Sequence, residues 1–207
     1  MNLLQRQFGV LGSTWRSGYG AEVKRSAIAF LLLVLLSFGV SLAVPALRES
    51  VIQRVVQMMG SLDVTNENGT LSAAALFSNN LRACTFTMLY GLVPFVPLSA
   101  LALGMNAILL GVLAAQYFTG GTSLLLYFLA LLPHGIFELP ALVLSFAMGL
   151  YVCDQVTRRC RKDETAVPVL DCLVLMGWLL MLVLIPLLAV AAAVEAYITP
   201  LLLSCFL

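Results

Sequence analysis

Charge is what this sequence has least of. Asp, Glu, Lys and Arg together make up 10% of its 207 residues, where a soluble domain carries about 25%. With 61% of residues hydrophobic and a mean hydropathy of +1.02, there is too little polar surface to cover a soluble core. The ~10-residue alternating strands of a membrane barrel are absent as well. Long uninterrupted apolar runs remain, and in lipid these fold as helices. The reading is an all-α integral membrane protein whose first partner is the bilayer.

Motifs for chemistry are equally sparse. The five cysteines, Cys84, Cys153, Cys160, Cys172 and Cys205, form no CxxC and no metal-ligand spacing, so they read as small hydrophobes. No phosphate-cradling glycine loop, nucleophile elbow or kinase signature is present. One histidine, His134, serves the whole chain. No catalytic residue, metal or cofactor is assigned, and an enzyme is not expected.

What charge there is falls in two basic groups. Arg6, Arg16, Lys24 and Arg25 precede the first apolar run, and Arg158, Arg159, Arg161 and Lys162 form the second. The positive-inside rule puts both in the cytoplasm. Topogenesis thus explains them without nucleic acid. The first run, residues 26–47, is too long for the ~7–15-residue core of a cleavable signal peptide and is expected to stay as a span. Residues 1–25 are expected to be a cytoplasmic segment and 26–207 one transmembrane domain.

Beyond span one, Val51, Ile52, Val55, Val56 and Met59 recur at helical spacing, which predicts an amphipathic helix outside the membrane. A loop at residues 63–70, with an Asn-Gly-Thr triplet that reads as chance, completes an extracytoplasmic excursion over 48–75. Pro94 and Pro97 divide the next apolar block into span two, residues 81–96, and span three, residues 98–118. Gly104, Ala107, Gly111 and Ala114 give span three a stripe for close helix packing. Residues 124–132 are too short to cross alone. Span four is expected over 136–156 and the last over 167–198, with Pro186 as a kink. Five spans satisfy both basic groups, with the amino terminus inside and the carboxyl terminus outside. The count requires a helix broken at Pro133 and Gly135, with 124–132 re-entrant or forming the upper part of a broken fourth helix.

In this topology Asn79, Asn80, His134, Glu138 and Glu195 share a depth on the outer side. His134 and Glu138, four residues apart, lie on one helix face, which Ala141, Ser145 and Gly149 extend towards a close neighbour. The plainest reading is a polar network, completed by Asn106, that joins helices. The functional reading is a transport pathway or ion site, since intramembrane ionisable groups commonly mark one. H-x-x-x-E also supplies two of the ligands of a zinc hydrolase, with Glu195 able to supply a third ligand or a general base. Asp171 is expected at the interface or paired with the second basic group, and Arg82 with an acidic group or a lipid phosphate.

The chain resembles the stage II sporulation protein M family. The resemblance rests on "LFSNN" (76–80), Gly104, Asn106 and Gly111 in "LGMNAILLGV", "PHGIFELPA" (133–141) with Gly149 beyond it, and "IPLLAVAAAVEAYITP" (185–200). It covers residues 76–200 well and the amino-terminal third only in topology. It implies a helical bundle of about five spans in a bacterial cytoplasmic membrane. It also implies a scaffold that anchors cell-wall-remodelling or other envelope proteins, with room for a homo-oligomer. A small transporter or lipid-handling protein, and an intramembrane metal-dependent hydrolase, are the alternatives.

Overall fold

The computed structural model describes residues 14–60, 72–121 and 124–205. The loop expected at 63–70, its Asn-Gly-Thr triplet and the first half of the amino-terminal segment lie outside these. Every regular element among the described residues is helical.

Helix α1 (Gly20–Ala43) ends at Val44 because the residue before a proline is pushed out of the helical region, and Val44 adopts φ −127°, ψ 82°. Helix α2 (Pro45–Gly60) starts on that proline, where a missing N–H does no harm. Val51, Ile52 and Val55 are half-buried, while Val56 is exposed. Helix α3 (Ala73–Leu89) is capped by the Ser72 hydroxyl, which accepts from the Ala75 N–H, and tightens into a 3₁₀ turn at Tyr90–Leu92. Helix α4 is Leu98–Thr119, helix α5 is Leu124–Cys160, and helix α6 runs over Val169–Ser204.

Two expectations change here. Among the described residues four helices, α1, α4, α5 and α6, are long and apolar enough to cross a membrane; the expected span two falls on the 17-residue α3, which begins eight residues earlier. The break at Pro133 and Gly135 does not occur either. Helix α5 runs through Pro133 and Pro140 for 37 residues, roughly 55 Å at 1.5 Å per residue. A proline forfeits one backbone hydrogen bond, but unwinding in lipid would strip several groups of partners with no water to replace them. Continuing the helix is the cheaper solution. A Cβ built on Gly135 would find its nearest neighbours in Leu131 and Leu139 of its own helix, at ordinary contact distance.

Helix α6 handles its prolines differently. It widens into π turns at Leu180–Leu184 and Val194–Ile198, each ending two residues before a proline, Pro186 and Pro200. A proline ring collides with the carbonyl four residues back, and the wider turn moves that carbonyl aside.

Helix α5 is the axis of the bundle. Phe146, Ala147, Met148 and Val152 are fully enclosed. The α3–α4 corner docks on it: the Cys153 thiol donates to the Val93 carbonyl (3.3 Å), and the Phe95 N–H donates to Thr157 Oγ1 (2.8 Å). Just before α1, the Tyr19 hydroxyl donates to the Leu144 carbonyl (2.9 Å), and its ring meets Tyr151 edge-on. The start of α1 therefore lies beside the second half of α5, so Arg16, Lys24 and Arg25 gather with the second basic group towards one end of the bundle.

At that end the second basic group closes its own loop. Arg158 Nε donates to Asp163 Oδ2 (2.8 Å), and the Thr165 hydroxyl and N–H donate to Asp163 Oδ1 (2.6 and 2.9 Å). Asp171 is exposed and, among the described residues, has no ion pair, which leaves the interface half of its expected placement; the acidic partner of the second basic group is Asp163. The Thr165 bonds and the Arg158 guanidinium pull the Asp163 carboxyl down to about 2 from an ordinary 3.8. A depressed folded-state value stabilises above the unfolded value and loses that stabilisation as pH falls through the folded one. The α5–α6 loop should thus hold above pH 4 and loosen between about pH 4 and 2. Limited proteolysis across that range checks this; in Asp163→Asn the loop should be cut at a rate with little pH dependence there.

Candidate functional site

Helix periodicity sets His134 and Glu138 on one face of α5, a turn apart. Glu195 reaches them from the second π turn of α6. One ligand-capable atom from each of the three, an imidazole nitrogen and two carboxylate oxygens, lies within 4.8 Å of the other two. The antiparallel run of α5 and α6 explains the match. His134 stands about 15 Å along α5 from Leu124, and Glu195 about 13 Å from the Ser204 end of α6.

All three side chains are half-buried. His134 Nδ1 is enclosed and has no hydrogen-bond partner among the described residues. Among the described residues neither carboxylate has a lysine or arginine beside it; the ion pairs lie at Glu22–Arg25 and around Arg158. The expected small-residue face continues from this site. Ala141, Ser145 and Gly149 are buried, with Cys84 of α3 beside Ser145 and Glu138. The face thus turns from α6 at His134 and Glu138 towards α3 at Ser145.

At Gly149 three segments meet with no room for a side chain. A Cβ there would strike Ser99 and the Thr87 carbonyl, and a Cβ on Gly91 would strike the Gly149 backbone. Ser99 Oγ donates to the Thr87 carbonyl (2.8 Å), filling what space is left. The sequence marks Gly149 but not Gly91, Thr87 or Ser99; small residues flanking the Pro94–Pro97 corner are the only trace. Gly111 also packs as expected, against Val34, Ser37 and Phe38 of α1. Gly104 does not, with nothing within 4 Å of a Cβ built on it. The closest approach of α4 to α1 lies at Ala107–Gly111, where Ser37 Oγ donates to the Ala107 carbonyl (3.3 Å).

The asparagines fall differently from the expected network. Asn79 and Asn106 line a crevice of 300 Å³ between α3 and α4 with Arg82 and Tyr90. Asn106 Nδ2 is spent on the Ala102 carbonyl of its own helix (2.9 Å). Asn80 is one turn before Cys84 on the same face of α3. No hydrogen bond joins any of the three to His134, Glu138 or Glu195. A second cavity, 770 Å³ and lined by apolar side chains of α1, α4 and α5 such as Phe30, Val34, Tyr127 and Leu139, opens at the side of the bundle.

The profile of the family described as Stage II sporulation protein M matches residues 26–200. The chain belongs to this family. The match begins in α1, well before the motif-rich stretch at 76–200, and so includes most of α1 and all of α2. An uncharacterized protein, MJ0793 of Methanocaldococcus jannaschii, is 32% identical over 130 residues, 61% of this chain and 70% of its own length. No solved structure matches. In this member of the stage II sporulation protein M family, the His134–Glu138–Glu195 group and the Gly91–Gly149 contact are what the geometry adds to the sequence motifs.

Proposed function

We propose that this protein is a non-enzymatic scaffold of the bacterial cytoplasmic membrane that anchors envelope or cell-wall-remodelling proteins. The observation that carries the reading is the family match over residues 26–200, which takes in every helix from α1 to α6. In this reading α3 with its 3₁₀ turn is a fifth crossing: its 20 residues, Ala73 to Leu92, reach about 30 Å. Both basic groups then face the cytoplasm, and the carboxyl terminus lies outside. Neither cavity described above contains His134, Glu138 or Glu195, which favours their joining helices over their lining a solute path.

Photo-cross-linkers placed along exposed apolar positions, such as Leu32, Leu36, Leu101 and Leu170, test the scaffold in cells. A discrete adduct with an envelope protein is the expected result. Adducts with lipid or with other copies of the chain alone would end the reading.

The lateral apolar cavity favours a second reading, a lipid-handling protein. Its volume and lining suit an acyl chain rather than a polar solute. Lipid that stays bound through purification and is lost on filling the cavity, for instance with Val34→Phe, would promote that reading.

A further inference from the structure

We propose that His134, Glu138 and Glu195 bind one divalent cation of the zinc class, clamping α5 to α6. The inference stands apart from the scaffold reading and survives its failure.

The first ground is geometry. Two ligands come from one face of α5, the third comes from a neighbouring helix, and all three donor atoms lie within 4.8 Å of one another. Ligands of a tetrahedral zinc, with bonds of about 2.0–2.2 Å, sit roughly 3.4 Å apart. Small rotamer adjustments of two glutamates close that difference.

The second ground is charge. Two carboxylates share one intramembrane seam, and no lysine or arginine among the described residues pairs with either. Charged groups in such a place pair with one another, with a metal or with a proton. A dication neutralises both carboxylates at once.

The third ground is the imidazole. A buried polar atom left without a partner is costly. His134 Nδ1 is enclosed with no hydrogen-bond partner among the described residues, and coordination through it would satisfy it. One nitrogen and two carboxylates suit zinc or a neighbouring transition ion. Calcium takes six to eight oxygens. Three protein ligands leave one position for water. Among the described residues no further His, Asp, Glu or Cys joins the group as a separate general base, so a clamp is favoured over a hydrolytic centre.

The test uses the full chain in detergent, stripped with a chelator and then titrated with Zn2+ and Co2+. Mass spectrometry of the metal should give one ion per chain, and Co2+ should develop the visible absorption of a four-coordinate N/O site. Glu195→Gln and Glu138→Gln should each weaken binding by at least about a hundredfold. Their metal-free forms should melt cooperatively, showing that the fold is intact. No stoichiometric metal in the wild-type chain would overturn the proposal, as would metal that persists undiminished in both variants, which would place it on the cysteines.

Discussion

Gly149→Leu should leave no folded bundle to purify, whereas Gly104→Leu should give protein that melts like the wild type. Both glycines belong to the motif-rich half of the chain, and sequence alone assigns both to helix packing. Their surroundings differ completely. A side chain at Gly149 strikes Ser99 and the Thr87 carbonyl, with Gly91 pressed against the same backbone. Backbone cannot swing aside as a flexible side chain does. Overpacking a core typically costs about 1–3 kcal/mol, and moving two segments of backbone should exceed the upper end of that range. Even Gly149→Ala should lower the melting temperature measurably. At Gly104 there is nothing within 4 Å, and replacing a mid-helix glycine by alanine should stabilise by roughly 0.5–1 kcal/mol. The yield of folded Gly149→Leu, and thermal melting of Gly149→Ala, Gly104→Leu and Gly104→Ala in one detergent, decide it. Equal losses at positions 104 and 149 would mean that the α3–α4 corner does not seat on α5 as described.

That contrast marks where the sequence stops being legible. Hydrophobic runs and prolines foretell the helices, because each depends on a local pattern: Pro45 starts α2, and the Pro94–Pro97 pair turns α3 into α4. The mistaken break at Pro133 has a local origin too. It weighs the proline at its cost in water, about 3 kcal/mol in a helix interior, without the larger cost of unwinding a helix in lipid. The charge pattern brings Glu195 to the depth of His134 and Glu138, but depth leaves the rotation of α6 undetermined. Rotation is set by a π turn over Val194–Ile198, whose sequence trace, Pro200, stands five residues beyond the glutamate. Nothing local to Asn79 or Asn106 shows which neighbour they meet, so their separation from the histidine is invisible in the sequence. The Gly91–Gly149 contact spans 58 residues and depends on three segments converging. No pattern within one of them encodes it.

Glu138→Gln should reverse its effect on stability according to whether metal is present. In chelator, wild-type protein holds two carboxylates in one seam without a paired cation. Gln keeps the shape and hydrogen-bonding capacity and removes one ionisable group, so the variant should be the more stable, by up to the roughly 2.5–3.5 kcal/mol that an unpaired charge costs inside the membrane. With free zinc at a hundred times the dissociation constant, the wild type gains about 2.7 kcal/mol from binding. The variant, short of one ligand, gains little, so the order inverts as free zinc rises. A polar glue of hydrogen bonds predicts something else: the substitution then has the same sign with and without metal. Paired melts of the wild type and Glu138→Gln, in chelator and in zinc, therefore separate a metal clamp from simple polar packing. Glu195→Gln should behave alike although it sits on the other helix, because in a clamp the two carboxylates act on the same ion.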